Sequence, residues 1–161
     1  MKKGRILAAV GVAALLVVVL LLTVRDRTPA LTRAAYEEAR LRWSRSAMAD
    51  YDLDLLVEAD RLAPQRYRVE VRGGQVTRFE QNGRLDSDGS AGAQYTVPAL
   101  FEVIERELEM AAGPTVPGAP VGSVLRGEFD PERGYPLVFK RIARRGQSTF
   151  IRMERFTPRA T

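Results

Sequence analysis

Hydrophobic and polar positions along this chain repeat with two different periods. Over residues 51–58, Tyr51, Leu53, Leu55 and Val57 alternate with Asp52, Asp54 and Glu58, the two-residue period of a half-buried strand. Residues 66–72 repeat it with Tyr67, Val69 and Val71. Gly73-Gly74 then marks a hairpin, and 75–80 returns with Val76 and Phe79. The helical period appears twice. In 31–46, Ala35, Tyr36, Ala39 and Trp43 fall on one face, Thr32 stands at the N-cap, and Arg40, Arg42 and Arg45 lie late, as a helix dipole prefers. After Thr96 and Pro98, a cap and a first-turn proline, Val97, Leu100, Phe101, Ile104, Leu108 and Ala111 form a second stripe that Gly113 ends.

The polar stretch 81–94, with Gly83, Gly89 and Gly92, reads as a loop, and 114–122, with three prolines and two glycines, as an exposed connection. Three further strands are expected at 124–129, 137–144 and 148–156, the last with Phe150, Met153 or Phe156 packing inward. Short turns between strands imply an antiparallel sheet with both helices on one face. The fold class is α+β in the order α-βββ-α-βββ. That order suggests an internal duplication, although the halves share no clear residue-level repeat.

Ahead of this domain, residues 6–24 are 19 positions without a charge. As a helix they span roughly 28 Å, close to the hydrocarbon thickness of a bilayer. Lys2, Lys3 and Arg5 precede them, which favours a cytoplasmic N-terminus and a domain outside. Residues 1–24 are therefore read as a single-pass anchor, 25–30 as a short linker and 31–161 as the extracytoplasmic domain. The alternative is a signal peptide cut near Thr28-Pro29-Ala30 and a secreted domain, but the apolar run is longer than usual for one.

Charge changes the picture little. Lys plus Arg is 25 and Asp plus Glu 20. Three of the basic residues lie in the first five positions, so the remainder carries only +2, with arginines and acids interspersed. A nucleic-acid reader is disfavoured. There is no cysteine and no histidine, which removes disulfides, thiol catalysis, the usual zinc sites and histidine acid–base chemistry. No cofactor or metal is implied.

The most distinctive segment is FDPERGYP over 129–136. Its structural reading is a tight turn: Asp130 bonds the backbone ahead, Pro131 fixes φ, Gly134 admits positive φ, and Pro136 opens a strand. Its functional reading is a contact loop through Asp130, Glu132, Gly134 and Tyr135. The densest basic run holds Lys140, Arg141, Arg144 and Arg145. It reads as a solvated sheet edge that resists edge-to-edge pairing, or as a contact for anionic lipid headgroups. Glu128, Asp130 and Glu132 are too few to hold a hard cation alone. Residues 86–90 fail as a calcium loop because position twelve falls on Val97. Asp52, Asp54 and Glu58 read as solvated charges rather than a glycosidase pair. Trp43, Tyr51 and Phe101 read as core aromatics.

Several segments together resemble the bacterial domain-of-unknown-function family 6174. They are Trp43 near a helix end, Ala49-Asp50-Tyr51 leading to Leu53 and Leu55, YRVEVRGGQV over 67–76, TVPALFEVIE over 96–105 and, most specific, FDPERGYP over 129–136. The resemblance covers roughly residues 36–139. It implies a similar fold and export, since family members are typically exported, often as lipoproteins, and carry no established activity. This chain lacks the lipid-bearing cysteine and the cysteine pair between the first strands, and its end is more basic. The resemblance transfers no catalytic residue.

The expectation is a non-catalytic, membrane-anchored interaction module of the cell envelope. Its partner is an envelope protein or surface polymer, and its contacts are the 130–136 turn and the 140–145 run. The alternatives are a hydrolase using carboxylates such as Asp130 and Glu132, and an assembly protein acting through its transmembrane helix.

Overall fold

The computed structural model describes residues 28–86, 90–112, 123–143 and 146–159. The anchor 6–24, the helix-ending Gly113, the connection 114–122, most of the rejected calcium loop, and Arg144 and Arg145 lie outside the described residues.

Helix α1 spans Arg33–Ser46, and Thr32 caps it by accepting from the Ala35 amide at 3.1 Å. Ala47 closes it in the left-handed region at φ 46°. Helix α2 spans Val97–Ala112, capped by Thr96, whose hydroxyl accepts from the Ala99 amide at 3.4 Å. Ala35 and Ala111 are exposed, so both apolar stripes are narrower than the pattern suggests.

Seven strands form one sheet: β1 Tyr51–Ala59, β2 Gln65–Arg72, β3 Gln75–Gln81, β4 Arg84–Leu85, β5 Val124–Phe129, β6 Pro136–Ile142 and β7 Thr149–Pro158. Their order is β4-β3-β2-β1-β7-β6-β5 and every pairing is antiparallel. The stretch 81–94 is more ordered than a loop. Asn82 and Gly83, both at positive φ, turn the chain into β4, and Ser90–Tyr95 forms a 3-10 turn. Gly92 in that turn lies so close to Phe79 and Val76 that a Cβ would come within 3.1 Å of both. The neighbouring Tyr95 ring stacks on Tyr67 at 3.9 Å.

One face of the sheet carries the core. The registers put Tyr51, Leu53, Leu55, Val69, Val71, Phe79, Phe139 and Met153 on the same side, all buried with the apolar faces of both helices. Trp43 of α1 meets Tyr51 and Phe156 edge-on at 5.6 and 6.0 Å. The first amide of α2, on Val97, donates to the Tyr51 hydroxyl at 3.2 Å. Both helices therefore cover this face, as the strand pattern implies. Phe150 is a correction. It opposes Glu58 across the β1–β7 pair, whereas Val57 opposes Ile151, so Phe150 projects from the helix-free face and Met153 and Phe156 face the core.

The strand order also bears on duplication. It reads β3-β2-β1 and then β7-β6-β5, and β1 is antiparallel to β7. Each strand of the second unit thus runs opposite to its counterpart in the first, while both helices keep the same face. Preserving order and face while reversing strand direction is a reflection, which no rotation performs. The two units are not superposable copies in chain order.

Residues 28–31 lie along the outer edge of β5. Ala30 bridges to Arg126, Leu31 N–H donates to Leu125 at 3.0 Å, and Gly127 N–H donates to Pro29 at 3.1 Å. The Arg126 guanidinium adds a bond to the Thr28 carbonyl at 2.7 Å. Because this strip is antiparallel to β5, the chain enters beside the Phe129 end of the sheet, here called the proximal end. The distal end holds the start of β7 and the ends of β1 and β6.

Candidate functional site

The 130–136 turn sits at the proximal end and is held from inside. One Asp130 carboxylate oxygen accepts from the Glu132 and Arg133 amides at 3.1 and 2.6 Å, and the Asp130 amide donates to the Tyr135 carbonyl at 2.8 Å. Gly134, at φ +84°, is packed against the Ala39 carbonyl of α1. The Tyr135 ring stacks on Phe156 at 4.1 Å. Burial, and then the neighbouring Asp130 charge, raise the Tyr135 hydroxyl above its ordinary pKa. Of the four turn residues singled out, Asp130, Gly134 and Tyr135 are committed to structure. Only Glu132 points outward, with a salt-bridge distance of 3.4 Å to its neighbour Arg133.

Lys140 and Arg141 lie at the other end of β6. They stand about 17 and about 20 Å from Tyr135 at 3.3 Å per residue, so the two candidate contacts are not one site. Nor is the basic run a sheet edge, because β6 lies between β5 and β7. Its residues alternate across the sheet. Arg141 faces the helices, pairs with Glu107 of α2 at 3.4 Å and donates to the Gln147 carbonyl at 2.8 Å. Lys140 projects from the helix-free face, where its Nζ lies 4.9 Å from the Phe150 ring centroid. The Arg152 guanidinium lies at the same distance from that ring.

Phe150 forms part of the wall of an open depression of about 650 Å³ at the distal end. Leu62, Pro64 and Ile142 supply apolar surface, Lys140 and Arg152 positive charge, and Glu58 negative charge. Leu62 and Ile142 are among the exposed large hydrophobic side chains, as is Val124, the cross-strand neighbour of Ile142. Asp60 forms one rim. Its carboxylate accepts from the Ser148 amide at 2.8 Å, and that backbone hydrogen bond holds its pKa below the ordinary value. The volume falls within the range of small-ligand and peptide sites. Sequence reasoning reached Lys140 but missed Phe150 and Arg152, which needed the face assignment of β7. Their spacing of two was the available signal.

The rest of the helix-free face is a ladder of paired charges. Asp52 is flanked by Arg72 and Arg159, and Asp54 by Arg68 and Arg155 at 3.0 Å each. Glu80 pairs with Arg78 at 2.6 Å and Glu154 with Arg66 at 3.2 Å. Asp52 corrects the reading of these acids as solvated, for only 6% of its surface is exposed. Among the described residues, no group of three acidic side chains is placed to hold a metal ion. Among them, no helix is long and apolar enough to cross a membrane.

The chain matches no family model, no curated protein and no solved structure.

Proposed function

We propose that this chain is a membrane-anchored, non-catalytic interaction module of the cell envelope. Residues 6–24 are its uncleaved anchor, and its domain faces away from the cytoplasm and binds an envelope protein. The observation that carries this reading is the strip 28–31 on the edge of β5. Because Thr28 to Ala30 are engaged there, only residues 25–27 separate domain from anchor, a reach of about 10 Å. Cleavage after Ala30 would strip the Pro29 and Thr28 carbonyls from β5 and bare a hydrogen-bonding edge, which folded proteins generally avoid. The strip therefore favours an intact N-terminus. With an anchor at the proximal end, the 130–136 turn would face the lipid and the distal cleft would lie away from it, open to a second protein. In this orientation Lys140 lies far from the headgroups, and the lipid-contact reading loses support.

Capture tests the reading. The full chain, solubilised in mild detergent and immobilised, is exposed to detergent-solubilised envelope from the source organism. The expected result is retention of one defined protein, unchanged when 6–24 is replaced by an unrelated transmembrane helix. Loss of capture on that replacement would favour an assembly role for the anchor. Retention of nothing would count against a binding module.

A further inference from the structure

We propose that the distal cleft receives an acidic, aliphatic peptide segment of the partner. A carboxylate would sit beside Lys140 and Arg152, and a neighbouring aliphatic side chain would lie against Leu62, Pro64 and Ile142. This assignment rests on the interaction-module reading above and names its ligand class.

Three observations converge. The first is charge. Lys140 and Arg152 approach one ring, Phe150, each at 4.9 Å, and so concentrate two positive charges on one wall of the cleft. Arg152 makes no ion pair among the described residues, in contrast to Arg66, Arg68, Arg72, Arg78, Arg155 and Arg159 on the same face. A carboxylate entering here meets charge-assisted donors without displacing an acid of this chain from Arg152. The second is the apolar surface beside those cations. Leu62 and Ile142 are 65% and 43% exposed, unusual for side chains of their kind clustered in one depression. The third is the extent of the positive charge. A polyanionic polymer is best held by a continuous track of cations. Arg66, Arg68, Arg155 and Arg159 are paired with Glu154, Asp54 and Asp52, so among the described residues the helix-free face offers no continuous track of unpaired cations. One or two carboxylates between aliphatic side chains match that pattern, and a long polyanion does not.

The test uses the full chain in detergent and a fluorescein-labelled dodecapeptide with a Leu-Glu-Leu-Glu centre between Gly-Ser flanks, followed by anisotropy. Controls are the Leu-Gln-Leu-Gln and Leu-Lys-Leu-Lys versions and dextran sulfate. The expected result is at least tenfold weaker binding of the glutamine peptide, and a similar loss for the acidic peptide in Lys140→Glu and in Arg152→Glu. The lysine peptide should bind the double Glu variant better than wild type, a gain that a misfolded variant would not show. Failure of the acidic peptide to bind, equal binding by the variants, or stronger engagement of dextran sulfate at the same residues would each overturn the assignment. If the capture experiment retains a partner that Arg152→Glu also retains, the cleft assignment falls and the interaction module stands.

Discussion

The α-carbon of Gly134 lies so near the Ala39 carbonyl that a Cβ built on it would come within 2.1 Å of that oxygen and 2.9 Å of the Arg42 Cβ. The turn between β5 and β6 is thereby seated on α1, and Gly134 is required for two reasons. Its φ of +84° disfavours any side chain, and the α1 backbone leaves no room for one. Gly134→Ala is expected to lower stability by about 3 kcal/mol, combining left-handed strain with overpacking. Urea unfolding followed by Trp43 fluorescence measures it, since this single tryptophan packs against Tyr51 and Phe156.

Tyr51→Phe isolates one hydrogen bond. The Tyr51 hydroxyl accepts from the buried Val97 amide at the start of α2, where no intrahelical partner exists. Burial raises its pKa, and the Val97 hydrogen bond opposes that rise without cancelling it. Removing the oxygen leaves a buried donor unpaired, and the loss is expected at about 1–2 kcal/mol. Amide hydrogen exchange should rise most at Val97. Uniform exchange across the sheet would contradict this account.

Asp52 sets an acid limit on stability. Burial alone would raise its pKa, but hydrogen bonds from Arg159 and Arg72 outweigh that and hold it below the ordinary 3.8. A carboxylate with a depressed folded pKa stabilises the fold above its unfolded pKa. That contribution fades as pH falls through the folded value. Stability should therefore decline below about pH 4. Asp52→Asn should be less stable than wild type at neutral pH and show a shallower acid decline. Parallel pH profiles for the two proteins would refute it.

Arg141 was a binding candidate by sequence and is a structural tie in the fold. Its guanidinium meets Glu107 at 3.4 Å, with both side chains less than one-fifth exposed. Arg141→Ala is expected to destabilise by about 2 kcal/mol because it leaves Glu107 shielded and without this partner. The pair should show a coupling energy of about 1 kcal/mol in a double-mutant cycle.

Local features were legible in the sequence. Thr32 and Thr96 cap where their spacing places them, and the β2 alternation survives residue for residue, whereas β1 also buries Asp52 and Leu56 and β3 shifts register between Val76 and Arg78. The Asn82-Gly83 turn carried a known hairpin signature, but the two-residue β4 beyond it was too short to show a period. Non-local pairing was not legible. Nothing near residue 140 says that β6 is an inner strand, because that depends on β7 returning to pair with β1. The face of Phe150 was hidden too, because the register slips at Asp54–Leu55 and strict alternation along β7 breaks. Asp52 reads as surface by its position, and its burial depends on Arg159 arriving from 107 residues away.

The strip beside β5 also governs how the domain bears force. A pull on Thr28 directed away from the proximal end acts along the strand direction. The Leu31–Leu125, Gly127–Pro29 and Arg126–Thr28 bonds then take the load together, in shear, instead of opening one after another. Tension applied between residue 28 and the distal end would pass through the sheet itself. Arg126 is then the side chain whose removal would weaken that path without touching the core.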